Sequence, residues 1–146
     1  MLIQYRTHNY YRDVKLEPKR DCSMIIKRKI PPAVITLARC AKSKDFYGIR
    51  FEEIQSGIWN GTWAFKITQS TAKKEGFDKG KIAGTIKWDD HFPGCPYCGS
   101  GGVFTCGKCH ETSCWDGRSE IVCPWCYSRE RIIVTNKLQF KTGRDL

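Results

Sequence analysis

Along most of this chain, apolar residues return at every second position. That period puts alternate side chains on opposite faces of an extended strand. Met24, Ile26 and Ile30 share one face, Lys27 and Lys29 take the other, and Pro31-Pro32 ends the run. Ala33 to Ala41 is apolar on both faces apart from Arg39, which suits a buried strand, with a short helix as the competing reading. Tyr47, Ile49 and Phe51 alternate with Gly48, Arg50 and Glu52. Trp59, Trp63, Phe65 and Ile67 fall on one parity with polar or small residues between them, and Ile82, Ile86 and Trp88 repeat the pattern. Between these last two strands, the segment from Ser70 to Gly76 predicts a capped helical turn closed by glycine. Ile132, Val134, Leu138 and Phe140 predict one face of a final strand. Residues 1–21 show no clear period and read as an irregular arm or edge segment.

Nine cysteines change this picture, because seven of them fall between Cys95 and Cys126, where the strand period lapses. Six of the seven come as C-x-x-C pairs, a spacing at which two thiolates of one tight turn can grip a single tetrahedral ion. In Cys95-Pro96-Tyr97-Cys98-Gly99, proline presets the backbone and the glycine permits a left-handed residue, so that backbone amides can face the sulfurs. Cys123-Pro124-Trp125-Cys126 repeats the design with Tyr127 in place of the glycine. Disulfides are the poorer reading, since nine is odd and the opening residues lack the apolar core of a secretory signal. The expected metal is zinc, because iron–sulfur runs carry closer, repeated cysteines.

Two ligand arrangements follow. In the favoured one, Cys95, Cys98, Cys123 and Cys126 make one closed site. Cys106, Cys109 and Cys114 make a second, with His91 or His110 as fourth ligand. In the other, the pairs interleave as in cross-brace fingers. A closed four-thiolate site is structural, and no histidine and glutamate stand in the H-x-E order that zinc deaminases use. The expectation is therefore a protein that is not an enzyme, with no catalytic residues and no evident small-molecule substrate. Trp115 and Trp125 flank ligand cysteines and are expected to pack over the metal loops. Cys22 and Cys40 lie in strand-like segments and read as small core residues.

The fold expected from these signals is mainly β. A small N-terminal β-sheet domain, with about five strands before residue 90, is followed by a zinc-ribbon-like, cysteine-rich metal-binding segment and a final strand. Pro93-Gly94 divides a basic β-rich region, residues 1–92, from a zinc-binding region, residues 93–146, with one continuous domain as the alternative.

Charge adds a partner class. The net charge of +10 is concentrated in residues 1–50, which hold twelve Lys/Arg against four Asp/Glu. Arg12, Lys15, Lys19, Arg20, Lys27, Arg28 and Lys29, interleaved with Tyr10 and Tyr11, form the candidate contact set for nucleic acid or an acidic protein face. A ββα finger is excluded, because no H-x-x-x-H helix exists. No apolar run reaches bilayer length, so no membrane is expected and the default location is the cytoplasm.

The run from Pro93 to Tyr127 resembles the C-terminal metal-binding domain of TerY-type tellurite-resistance proteins. The resemblance is carried by Pro93-Gly94-Cys95-Pro96-Tyr97-Cys98-Gly99, the inner Cys106, Cys109 and Cys114, Cys114-Trp115-Asp116-Gly117, and Cys123-Pro124-Trp125-Cys126. It implies a bacterial zinc module that docks a partner protein within a stress-response or defence assembly.

Overall fold

A computed structural model describes residues 2–4, 33–76 and 80–144. Its strands are β1 (Leu2–Gln4), β2 (Ala33–Arg39), β3 (Phe46–Gln55), β4 (Ile58–Lys66), β5 (Gly80–Trp88), β6 (Gly102–Thr105), β7 (Thr112–Trp115), β8 (Glu120–Val122), β9 (Arg129–Arg131), β10 (Ile133–Val134) and β11 (Lys137–Arg144). The one helix among the described residues, α1 (Gln69–Glu75), links β4 to β5. The protein is thus mainly β, with a cysteine-rich segment followed by a C-terminal strand. The strand expected over Met24–Ile30 lies outside the described residues.

Five strands close a ring. β3 pairs antiparallel with β2 and β4, β5 lies parallel to β4, and β11 pairs antiparallel with both β5 and β2. The parallel β4–β5 step needs a crossover, and α1 supplies it. Thr68 caps this helix by accepting from the Thr71 amide, and Gly76 ends it in the left-handed region at φ 72°. The predicted glycine stop is present, while the cap is Thr68, two residues before the predicted segment opens at Ser70. Ala72 is the helix's buried residue, and it packs outside the barrel with Ile35, Leu37, Phe65 and Ile67.

Inside the ring, Tyr47, Ile49, Phe51, Ile82, Ile86, Trp88, Leu138 and Phe140 are buried, as the alternation predicts. Phe51 stacks on Phe140 at 5.1 Å and tilts against Trp88 at 5.6 Å. Gly61 makes room for Trp88, since a Cβ there would come within 2.5 Å of the indole. The exception is β4. Trp59 faces the core, but Trp63 is 53 % exposed and Ala64 is buried in its place. The register slips between Arg50, opposite Trp63, and Phe51, opposite Gly61. An extra residue in one strand turns all later side chains to the other face. Trp63 and Phe65 therefore leave the core.

The chain's last strand completes the barrel begun at Ala33, so the cysteine-rich segment is an insertion between two barrel strands. The two parts join along one edge of β2. Val34 and Ile35 pair with Arg144 and Gly143 of β11, while Ala38 and Arg39 pair in parallel with Thr112 and Ser113 of β7. β7, β6, β1 and β10 then continue the sheet outward, and β8 and β9 form a separate hairpin. The single final strand expected from Ile132 to Phe140 is broken. Leu138 and Phe140 are buried in β11, whereas Ile133 and Val134 of β10 are more than half exposed.

Candidate metal centres

Four turns share one backbone form. The amide of the leading cysteine donates to the carbonyl five residues on, and the amide four residues on donates back to the cysteine carbonyl. Cys95 to Ser100 does this at 2.9 and 2.8 Å, Cys106 to Glu111 at 3.0 and 2.9 Å, and Cys123 to Ser128 at 2.9 and 2.9 Å. Cys40 to Asp45 does the same at 2.8 and 3.0 Å, with Ser43 where the other turns place their second cysteine. Each form requires a left-handed residue in its fifth position. Gly99 fills it without strain at φ 78°, while Lys44, His110 and Tyr127 adopt φ 65°, 60° and 60°. Amides point at sulfur from within three of these turns, with Lys108 N 3.4 Å from Cys106 Sγ, Trp125 N 3.4 Å from Cys123 Sγ, and Ser43 N 3.5 Å from Cys40 Sγ.

The turns converge into two groups of four thiols, Cys40, Cys95, Cys98 and Cys114, and Cys106, Cys109, Cys123 and Cys126. Within each, all sulfurs lie within 4.8 Å of one another. A tetrahedral ion with metal–sulfur bonds of 2.3 Å needs sulfurs about 3.8 Å apart. In the first group, Cys98 and Cys114 are 3.6 Å apart, and Cys114 and Cys40 are 3.9 Å apart. In the second, Cys106–Cys126 and Cys109–Cys123 are both 3.7 Å. Each group can therefore hold a metal ion with little movement.

This grouping differs from the favoured sequence arrangement, which joined Cys95 and Cys98 to Cys123 and Cys126. The reason is strand β6, whose four residues span about 14 Å. It carries the chain away from the Cys95–Cys98 turn and delivers Cys106 and Cys109 to its far end. β7 then runs back antiparallel, setting Cys114 opposite Val103 and returning it to the first turn. Cys40, read from the sequence as a core residue, is fully buried and also belongs to the first group. It was missed because its turn carries half of the pair. The surviving signal is Cys40-Ala41-Lys42-Ser43-Lys44-Asp45, a cysteine-led link of six residues between two strands. His91 and His110 are both exposed and belong to neither group. Cys22 and the basic set Arg12, Lys15, Lys19, Arg20, Lys27, Arg28 and Lys29 lie outside the described residues.

Charge is shared unequally among thiols this close. The Cys95 thiol is lowered to about 5, first by its hydrogen bond with Cys114, and Cys114 is pushed well up by the same contact and by burial. In the second group, Cys126 is lowered to about 6 by Ser128, while burial raises Cys109 and Cys123. Tyr47 is raised well above its ordinary range by burial and by the sulfurs of the first group, which places that group against the barrel core.

Hooks tie the turns to neighbouring strands. The Tyr97 hydroxyl donates to Phe46 O at 2.7 Å, and Trp125 Nε1 donates to Thr112 O at 2.8 Å. Trp125 also packs edge-on to Phe46, whereas Trp115 is buried with Phe104 in a separate small core. Arg39 stands between the two groups. It donates to Lys44 O of the Cys40 turn at 2.7 Å and to Pro124 O of the Cys123 turn at 3.0 Å. Its guanidinium also lies 5.0 Å from the Phe46 ring centroid.

The fold and site together define a mainly β protein with two tetracysteine groups able to hold metal ions. Comparison of the chain with protein families, curated proteins and solved structures finds no match. Among the described residues, no helix is long and apolar enough to cross a membrane.

Proposed function

We propose that the protein is a non-catalytic zinc-binding module whose two ions hold a ribbon-like insertion against a β-barrel, and that this assembly docks a partner protein. The observation that carries the reading is the pair of all-thiolate groups at tetrahedral spacing, with no histidine or carboxylate in either. Four thiolates complete a zinc ion's sphere and leave no position for an activated water. Soft sulfur ligands in this geometry also favour zinc over oxygen-loving ions. The resemblance of Pro93–Tyr127 to the TerY-type C-terminal domain supports a place in a bacterial stress-response or defence system. Tyr127 and Val122, both exposed on the ribbon, suit a protein contact. Metal analysis of the purified chain should find two zinc ions. Capture of a partner by the zinc-loaded chain should be lost after chelation. A chain with one ion or none would contradict the metal reading, and capture indifferent to zinc would contradict the docking reading.

A second reading is nucleic-acid binding. The basic residues before Ile30 support it, and so does a groove on the barrel lined by Lys81, Lys137 and Lys141.

A further inference from the structure

Two grooves flank the metal centres. One, of about 670 Å³, lies between the Cys40 turn and the β8–β9 hairpin. It gathers Lys42, Lys44, Arg118, Arg129 and Arg131, but also Asp116, Glu120 and Glu130. Arg118 pairs with Asp116 at 3.0 Å and Arg131 with Glu120 at 3.6 Å, so carboxylates are interspersed with the cations and an anionic strand would meet both signs there.

The other groove, of about 730 Å³, lies on the outer face of β5 and β11 beside the Cys106 turn. Lys81, Lys137, Lys141 and His110 line it, and no carboxylate does. Lys81 and Lys141 stand directly opposite each other on neighbouring strands. Like charges in that register repel unless an anion lies between them. Glu111 reaches Lys141 at 2.6 Å, but neither Lys81 nor Lys137 has an acidic partner among the described residues. Alternation along β5 puts the exposed Lys87 on the same face. Thr105 adds a buried hydroxyl without a hydrogen-bond partner to the groove wall.

Spacing selects the occupant. Lys81 is free to take one phosphate, since Lys141 opposite it is held by Glu111, while Lys137, four residues along β11 from Lys141, lies about 14 Å away. A single phosphate cannot reach both ends, whereas a chain of phosphates can. We propose that the outer face of β5 and β11, through Lys81, Lys137 and Lys141, binds the phosphodiester backbone of a nucleic-acid strand. This rests on the second functional reading and is independent of what the ribbon docks.

The test is fluorescence anisotropy of the full-length, zinc-loaded chain with a labelled 12-nucleotide DNA strand at two salt concentrations. The double variant Lys81→Glu, Lys137→Glu should bind at least about tenfold more weakly at low salt. Its log K against log salt slope should fall by about 1.4, the share of two phosphate contacts on a single strand. Its zinc content and melting temperature should match the parent, because both side chains are exposed. The variant Lys42→Glu, Arg129→Glu in the mixed-charge groove should lose less binding than the first variant, and an equal or larger loss there would overturn the assignment to the β5–β11 face. Equal binding by the parent and the first variant would overturn the site and leave the nucleic-acid reading standing on other residues. No binding by the parent would overturn both. Displacement of the strand by millimolar inorganic phosphate, beyond that by sulfate of equal ionic strength, would show a single-phosphate site and refute the polyanion assignment.

Discussion

The two cysteine groups look alike in chemistry and differ in what they join. Cys106, Cys109, Cys123 and Cys126 come from two turns at the tips of neighbouring hairpins, β6–β7 and β8–β9. That centre is local to the ribbon, which has a small core of its own in Phe104 and Trp115. Cys40, Cys95, Cys98 and Cys114 come from a barrel hairpin, the link after β5, and strand β7. Cys40, Cys95 and Cys114 are themselves part of the main hydrophobic core, alongside Tyr47, Phe51 and Phe140. The second group thus organises a ribbon, while the first ties that ribbon to the barrel. The same four thiols can be a local staple or a long-range one, depending on which strands deliver them.

Stripping metal from both centres should have the largest effect, because an ion in such a site contributes about 10 kcal/mol or more to folding. Hydrogen exchange should show loss of protection throughout β6 to β9 after chelation. Next, Cys114→Ser should remove the ion of the first group and destabilise the whole chain by about 5 kcal/mol, since the lost ligand lies in the shared core. Cys126→Ser should remove the other ion and yet leave amide protection at Tyr47, Ile49 and Phe51 close to the parent's. If Cys126→Ser unfolds the barrel as thoroughly as Cys114→Ser, the distinction between local and long-range centres fails.

Smaller changes probe the contact between the groups. Arg39→Ala removes two hydrogen bonds to turn carbonyls and a cation–π contact, and should cost about 2 kcal/mol in denaturant unfolding with both ions retained. Tyr127→Gly should raise stability by about 0.5 kcal/mol. It relieves a left-handed tyrosine, offset in part by the greater freedom of glycine when unfolded. A loss of stability there would mean that the Tyr127 ring packs on the ribbon more than its exposure suggests.

Much of this was legible in the sequence because local rules govern it. The strand period located β2 to β5, and the helical turn and its glycine stop were read correctly, with the cap two residues earlier than the segment predicted. The C-x-x-C turns announced metal chemistry from spacing alone. What stayed hidden depended on distance or on a single inserted residue. Trp63 looked like a core residue until the bulge in β4 turned it outward. The ligand partners could not be read, because they depend on β6 separating two cysteine turns and β7 bringing Cys114 back. Cys40 was masked by Ser43, which leaves its turn with the right backbone and half of the thiols.

Counting ions in the parent and in Cys40→Ser is the most direct check on the central claim of two separate four-thiol centres. The account predicts two zinc ions per chain in the parent and one in the variant, with the remaining ion held by Cys106, Cys109, Cys123 and Cys126. Two ions retained at undiminished affinity in Cys40→Ser, or a single ion in the parent, would contradict it.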